Sequence, residues 1–148
     1  MNDLNIASRI EVWPIDRLIP YARNPRTHSP EQILQLVGSI RENGFVNPVL
    51  VDKHGNVIAG HGRILAAQKI GLTQLPVIVL DHLTETQVQA LRIADNRISE
   101  NGRWDQAILQ AELAALQAEN VDLALLGFAE LIPETFVPGE CLEFAEFA

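Results

Sequence analysis

One cysteine, Cys141, is present in 148 residues, which excludes an internal disulfide framework and fits a reducing cytoplasm. No uninterrupted apolar run is long enough to span a membrane. Met1-Asn2-Asp3-Leu4-Asn5 lacks the basic and apolar regions of a secretion signal. Together these absences set the expectation of a cytoplasmic protein with no membrane partner. His28, His54, His61 and His82 are scattered, and no histidine–cysteine cluster has zinc-ligand spacing. There is no internal repeat or low-complexity tract, and neither the P-loop nor the dinucleotide glycine fingerprint occurs.

Bases are missing from one end of the chain. Residues 1–103 hold all 11 Lys and Arg against 10 Asp and Glu, whereas residues 104–148 hold nine acids and no base. The net charge of −8 excludes the basic footprint of a free-standing DNA binder. The near-neutral first part leaves room for a local anion site. The acidic end reads as a solvated helix face, a linker or a contact for a basic partner. What is present is ordinary globular material, 47% hydrophobic and 20% charged, enough for one domain with an appendage.

Alternation in Arg9–Trp13 predicts a short strand, followed by one helical turn over Ile15–Ile19 and a polar loop, Tyr21–His28, carrying Arg23, Asn24 and Arg26. Ser29-Pro30-Glu31-Gln32 starts a helix, with Ser as N-cap and Pro in the first turn. Ile33, Leu36, Val37 and Ile40 give its apolar period, and Gly44 ends it. Pro48–Asp52 and Val57–Ala59 read as two strands joined by a hairpin turn, and Pro76–Leu80 as a further strand. A second capping box, Thr84-Glu85-Thr86-Gln87, opens a helix that delivers Asp95-Asn96-Arg97 near its end, with Val88, Leu91 and Ala94 or Ile98 as its stripe. Trp104-Asp105 opens another helix with Leu109, Leu113 and Leu116 on one face, and a short apolar helix or turn follows from Asp122 to Phe128. The sum is an α+β core of short elements.

The stretch Val57–Ala67 contains the densest chemistry. Three apolar residues run into Gly60-His61-Gly62-Arg63 and then into a helix-like segment. Glycine allows positive φ and close backbone approach. A helix start presents free N–H groups and partial positive charge, and Arg63 adds a planar donor suited to phosphate oxygens. These four residues fit an anion site of the phosphate kind. They equally fit a tight strand–helix connection with a surface arginine. Asp95 and Asn96 together could hold a hydrated Mg²⁺, or could simply cap a helix end.

In order and spacing, these motifs resemble the ParB/sulfiredoxin superfamily, and within it the ParB-like N-terminal (ParB-like nuclease) domain. The resemblance covers residues 9–105. It rests on Asn24-Pro25-Arg26, the Ser39-Ile40 to Gly44 helix end followed by Pro48-Val49, the Ile58-Ala59-Gly60-His61-Gly62-Arg63 turn, and Ala94-Asp95-Asn96-Arg97. The segment from Trp104-Asp105 to Leu126-Gly127-Phe128 is similar to a phage and bacterial variant often placed before a DNA methyltransferase domain. The resemblance implies a small mixed β-sheet flanked by helices, here with a C-terminal helical extension.

ParB proteins bind CTP with Mg²⁺ and hydrolyse it to gate a DNA clamp. Sulfiredoxins use ATP, some relatives phosphorylate free serine, and others are described as nucleases. Carried over, Gly60, His61, Gly62 and Arg63 would cradle phosphates, while Asn24 and Arg26 would contact the nucleotide. Asp95 and Asn96 would stand at the metal and triphosphate, with Arg97 beside them. Sulfiredoxins place a catalytic cysteine where this chain has His61, so sulfinic acid reduction is not expected. ParB proteins place a more basic run there, of which Arg63 alone remains. Neither a helix-turn-helix domain nor a methyltransferase motif follows.

The expected organisation is a nucleotide-binding domain over 1–103, a helical extension over 104–132 and a loose acidic tail over 133–148. The leading functional expectation is binding of CTP or ATP with Mg²⁺, with hydrolysis in which His61 and Asp95 take part, in DNA partition or modification. The expected partners are the nucleotide, DNA through a partner or fused domain, and a second copy of the chain. One alternative is a metal-dependent nuclease using Asp95 with Asp52 or Asp81. The other is a non-catalytic interaction module.

Overall fold

The computed structural model describes residues 4–128. The expected acidic tail over 133–148, Cys141 and the last residues of the extension lie outside the described residues. The order is β1 (Glu11–Pro14), a 3-10 turn (Ile15–Arg17), α1 (Pro30–Asn43), β2 (Val49–Asp52), β3 (Val57–Ala59), α2 (His61–Lys69), β4 (Gln74–Leu80), α3 (Glu85–Glu100), α4 (Gln106–Ala118) and a 3-10 turn (Leu123–Leu126).

The four strands form one mixed sheet in the order β1-β4-β2-β3. β4 runs antiparallel to β1 and parallel to β2, which forms an antiparallel hairpin with β3. The sheet strands are short and β-branched, as a surface buried under helices requires. Val49, Val51, Val57 and Val77 are fully buried, and Trp13, Leu75, Ile64 and Ala67 close the same core. Each buried valine, leucine or isoleucine here contributes about 1.5–3 kcal/mol of transfer free energy. Strand β4 starts two residues before Pro76. Its parallel pairing with β2 begins only at Val77, so the missing proline N–H falls where β4 has β1 as its sole neighbour.

Helix starts follow their capping chemistry. Ser29 Oγ accepts from Gln32 N, and Asp105 accepts from Ile108 N. At Thr84 both halves of the capping box are made. α1 packs on α2 through Ile33, Val37 and Ala66. α3 lies against β3, and its inward residues are Val88 and Arg92. Ile98, expected on the apolar stripe, is 68% exposed. The inward face is therefore Val88 and Arg92, both buried, flanked by the half-buried Leu91 and Ala94. In the extension, Leu109, Leu113 and Leu123 form a small separate cluster with Phe128. The Trp104 ring meets Phe128 edge-on at 5.3 Å, and the Leu123–Leu126 turn docks on α1.

Candidate functional site

Gly60 is the N-cap of α2, with φ of 109° and no side chain to satisfy the helix start. A Cβ there would lie 3.0 Å from Val49 and 3.1 Å from Arg63 Nη2. The first N–H groups of α2 therefore remain as donors at the positive end of a helix. Gly62 serves close packing. A Cβ there would stand 2.9 Å from His28 Cε1 and 3.1 Å from Leu36, so this glycine lets the 21–28 loop and α1 press against α2.

In front of this turn is a cavity of about 160 Å³. Asn24, Arg26, Gly60, His61, Gly62, Arg63, Asp95 and Asn96 all line it, so residues from three distant segments converge as expected. Two of them are differently disposed than a free phosphate grip would need. Arg63 Nη2 donates to the Pro48 carbonyl at 2.9 Å, and its buried Nε has no hydrogen-bond partner among the described residues. Burial pulls its pKa down, with the Asp95 charge opposing. His61 Nε2 accepts from the Tyr21 N–H at 3.2 Å. Burial lowers the His61 pKa, aided by the charge of Arg92 and by His28. The ring is therefore neutral with its proton on Nδ1, which makes it a donor rather than a base.

At the α3 side, Asn96 Nδ2 donates to the Arg92 carbonyl at 3.0 Å. That fixes the amide and leaves its Oδ1 as an acceptor. Asp95 is exposed, and its carboxylate has no hydrogen bond among the described residues. One carboxylate and one amide oxygen suit a hard, hydrated cation. Arg97 is not part of the lining. It faces outward and pairs with Glu100 at 3.2 Å. Arg26 also pairs with Glu100, at 2.9 Å, which ties the 21–28 loop to the end of α3. Arg23 is exposed and does not line the cavity.

The aspartates needed for a two-carboxylate nuclease are not brought together. Asp52 and Asp81 line a different cavity from Asp95. Among the described residues no group of three His, Cys, Asp or Glu could hold a metal. Asp52 is occupied structurally, accepting from the backbone of His54 and from both the backbone and the side chain of Asn56.

Sequence reasoning missed Gln32, Glu100 and Arg92. Gln32 sits in the Ser29 cap sequence, but its side chain turns to His28 Nδ1 at 2.9 Å on the cavity wall. Glu100 gave no signal, because the loop it binds is 74 residues away. Arg92 is 4% exposed and turns inward beside the expected stripe of Val88, Leu91 and Ala94 or Ile98. Its position four residues after Val88 was the available clue.

The family model described as ParB N-terminal domain matches residues 2–97. The ParB-like nuclease domain-containing protein YnaK of Escherichia coli K12 is 54% identical over 81 residues, covering 55% of this chain and 93% of that one. The chromosome-partitioning protein Spo0J of Thermus thermophilus is 32% identical over 144 residues, covering 90% of this chain and 53% of that one. Among solved structures, the truncated chromosome-partitioning protein ParB of Caulobacter crescentus complexed with CTP-γ-S aligns with a TM-score of 0.58 at 28% identity. That alignment covers 67% of this chain and 57% of that one. A pNOB8-like ParB N-domain shares the fold, with a TM-score of 0.53 at 20% identity. The chain thus spans about half the length of these partition proteins, between 45% and 57%.

Proposed function

The chain belongs to the ParB N-terminal domain family, and from that premise we propose that the cavity before Gly60 receives the phosphates of CTP or ATP. The observation that carries the reading is the convergence of Asn24, Arg26, the Gly60 turn, Arg63, Asp95 and Asn96 on one cavity at a helix N-terminus. Support comes from the CTP-γ-S complex of the Caulobacter relative.

Each residue has a role that its surroundings allow. The amides of α2 bind phosphate oxygens. Arg63 supplies positive charge from beneath the turn. His61, neutral, donates from Nδ1 to a phosphate oxygen. Asp95 and Asn96 Oδ1 would hold Mg²⁺, which neutralises charge on the phosphates when bound. Positioning of this kind supports slow hydrolysis without covalent catalysis.

A cavity of about 160 Å³ admits phosphate groups, whereas whole drug-sized ligands occupy roughly 300–1,000 Å³. The sugar and base therefore extend beyond it, and the exposed Arg26–Glu100 pair beside it is the contact whose opening would admit them. The acidic balance of the whole chain supports DNA contact through a fused domain or a partner, in partition or modification machinery.

Isothermal titration of CTP and ATP, with and without Mg²⁺, tests this. Binding of one nucleotide is expected, stronger with Mg²⁺, and lost in Arg63→Ala. Absence of heat from both nucleotides well above millimolar concentration sinks the reading.

A further inference from the structure

A second cavity, of about 560 Å³, opens on the other side of the Tyr21–His61 contact and shares no lining residue with the first. It lies between the β2–β3 hairpin, the 80–84 loop and the first turns of α3. Its size falls within the range of small-molecule sites.

Arg92 lines this cavity and is 96% buried, that is, 4% exposed. Its Nε and Nη2 both donate to the Val57 carbonyl, at 3.3 and 3.0 Å. One face of the guanidinium lies 3.7 Å from the Tyr21 ring centroid. Nη1 has no partner among the described residues, and none of their carboxylates forms an ion pair with Arg92. A buried charge is costly unless it is matched by an opposite one. One carbonyl and one ring are a thin compensation.

The rest of the wall narrows the chemistry. Leu80, Leu83 and Val88 supply apolar surface beside the Tyr21 ring. Three carboxylates line the wall: Asp52, whose oxygens are engaged by His54 and Asn56, and Asp81 and Glu85, of which Lys53 offsets one, so a doubly charged anion is opposed. We propose that this cavity is a second binding site, separate from the nucleotide cavity, for a small monocarboxylic acid with a partly apolar body, its carboxylate meeting Arg92. A carboxylate matches the planar guanidinium and carries the single charge the rim tolerates.

Two-dimensional ¹H–¹⁵N spectra of the full chain, titrated with sodium benzoate and separately with inorganic phosphate, test the proposal. Benzoate should move the amides of 84–89 and 54–56 and the Arg92 Nε–H. Phosphate should instead move the amides of Gly60 to Ile64. Gln89→Glu sets a new carboxylate three residues before Arg92 on an exposed helix face. It should weaken benzoate binding at least tenfold and leave the phosphate response as it was. Arg92→Lys should lose benzoate as well, but it also removes a fold contact, so the decisive variant is Gln89→Glu. The proposal is overturned if benzoate up to about 10 mM, ten times a millimolar Kd, leaves 84–89 unmoved. It is equally overturned if Gln89→Glu binds benzoate like the parent, or if phosphate moves 84–89 more than benzoate does.

Discussion

Asp52 and Asp95 both stand at cavity edges, yet they are used in opposite ways. At the hairpin end, Asp52 Oδ1 accepts from His54 and Asn56 backbone N–H groups, both at 2.9 Å, and Oδ2 accepts from the Asn56 side chain at 3.0 Å. Burial works to raise its pKa, but these hydrogen bonds outweigh it and hold the carboxyl below the usual carboxylate range. At the glycine-turn end, Asp95 is exposed and its carboxylate is unbonded among the described residues. The difference separates groups that build the fold from groups kept in reserve for a ligand. A polar group whose hydrogen-bonding capacity is spent internally has little left to recognise anything else.

The largest effect is expected where reserve and structure coincide. Gly60→Ala forces a side chain onto a φ of 109° and brings Cβ to 3.0 Å from Val49. Strain and overpacking together should cost about 2–4 kcal/mol, read as a drop in the urea midpoint. Nucleotide binding should fall with it, since the same backbone presents the α2 amides. An unchanged midpoint would show that the turn tolerates an alanine and is less constrained than its geometry indicates.

The paired aspartates sharpen the comparison directly. Asp52→Ala removes three hydrogen bonds and should destabilise by about 2 kcal/mol, at roughly 0.5–1.5 each less relaxation. Asp95→Ala should stay within about 0.5 kcal/mol of the parent, yet abolish any Mg²⁺ dependence of nucleotide binding. Equal stability losses in the two variants would erase the distinction between the two ends.

How much of this was legible in the sequence follows the same line. Local chemistry was readable: Ser29, Thr84 and Asp105 cap helices as their side chains dictate, and Gly60 marks the turn. The convergence of Asn24, Arg26, Arg63 and Asp95 was readable through the family resemblance, whose spacing encodes a shared fold. Sheet order was not readable, because β4 pairs with β1 and β2 across long separations that no local pattern records. The inward turn of Arg92 was hidden because charge argues for the surface, and only the Val57 carbonyl and the Tyr21 ring reverse that preference. Arg97 was misplaced for the reverse reason. Adjacency to Asn96 in sequence puts it about 100° further round the helix, where Glu100 takes it.

Acid should separate the two ends by pH. His61 has a folded pKa below its ordinary value, so folding favours the neutral ring. Its contribution is complete above the unfolded pKa of about 6.5. It declines as pH falls from there through the folded pKa, because the unfolded chain then binds more protons. One such group gives a slope of at most about 1.4 kcal/mol per pH unit. The Asp52 contribution is present above the carboxylate range and is lost only at lower pH, as its depressed folded pKa is passed. Urea midpoints between pH 7.5 and 5 should therefore fall in the parent and fall less in His61→Gln. Asp52→Asn should keep the parent's slope in that window.

The smallest effect on stability belongs to Glu100, and it carries the most functional information. Both ion pairs made by Glu100 are solvent-exposed, and exposed pairs contribute about 0–1 kcal/mol. Glu100→Gln should therefore leave the urea midpoint nearly unchanged. If Arg26 must leave Glu100 before a nucleotide can enter, the same substitution frees it in advance. The association rate for the preferred triphosphate, measured by stopped flow, should then rise several-fold. A binding-competent state already populated binds faster and with higher apparent affinity, because less of the ligand's interaction energy goes into opening the site. An unchanged rate would mean that the nucleotide reaches Gly60 past an intact Arg26–Glu100 pair, and that the small cavity widens by moving the 21–28 loop elsewhere.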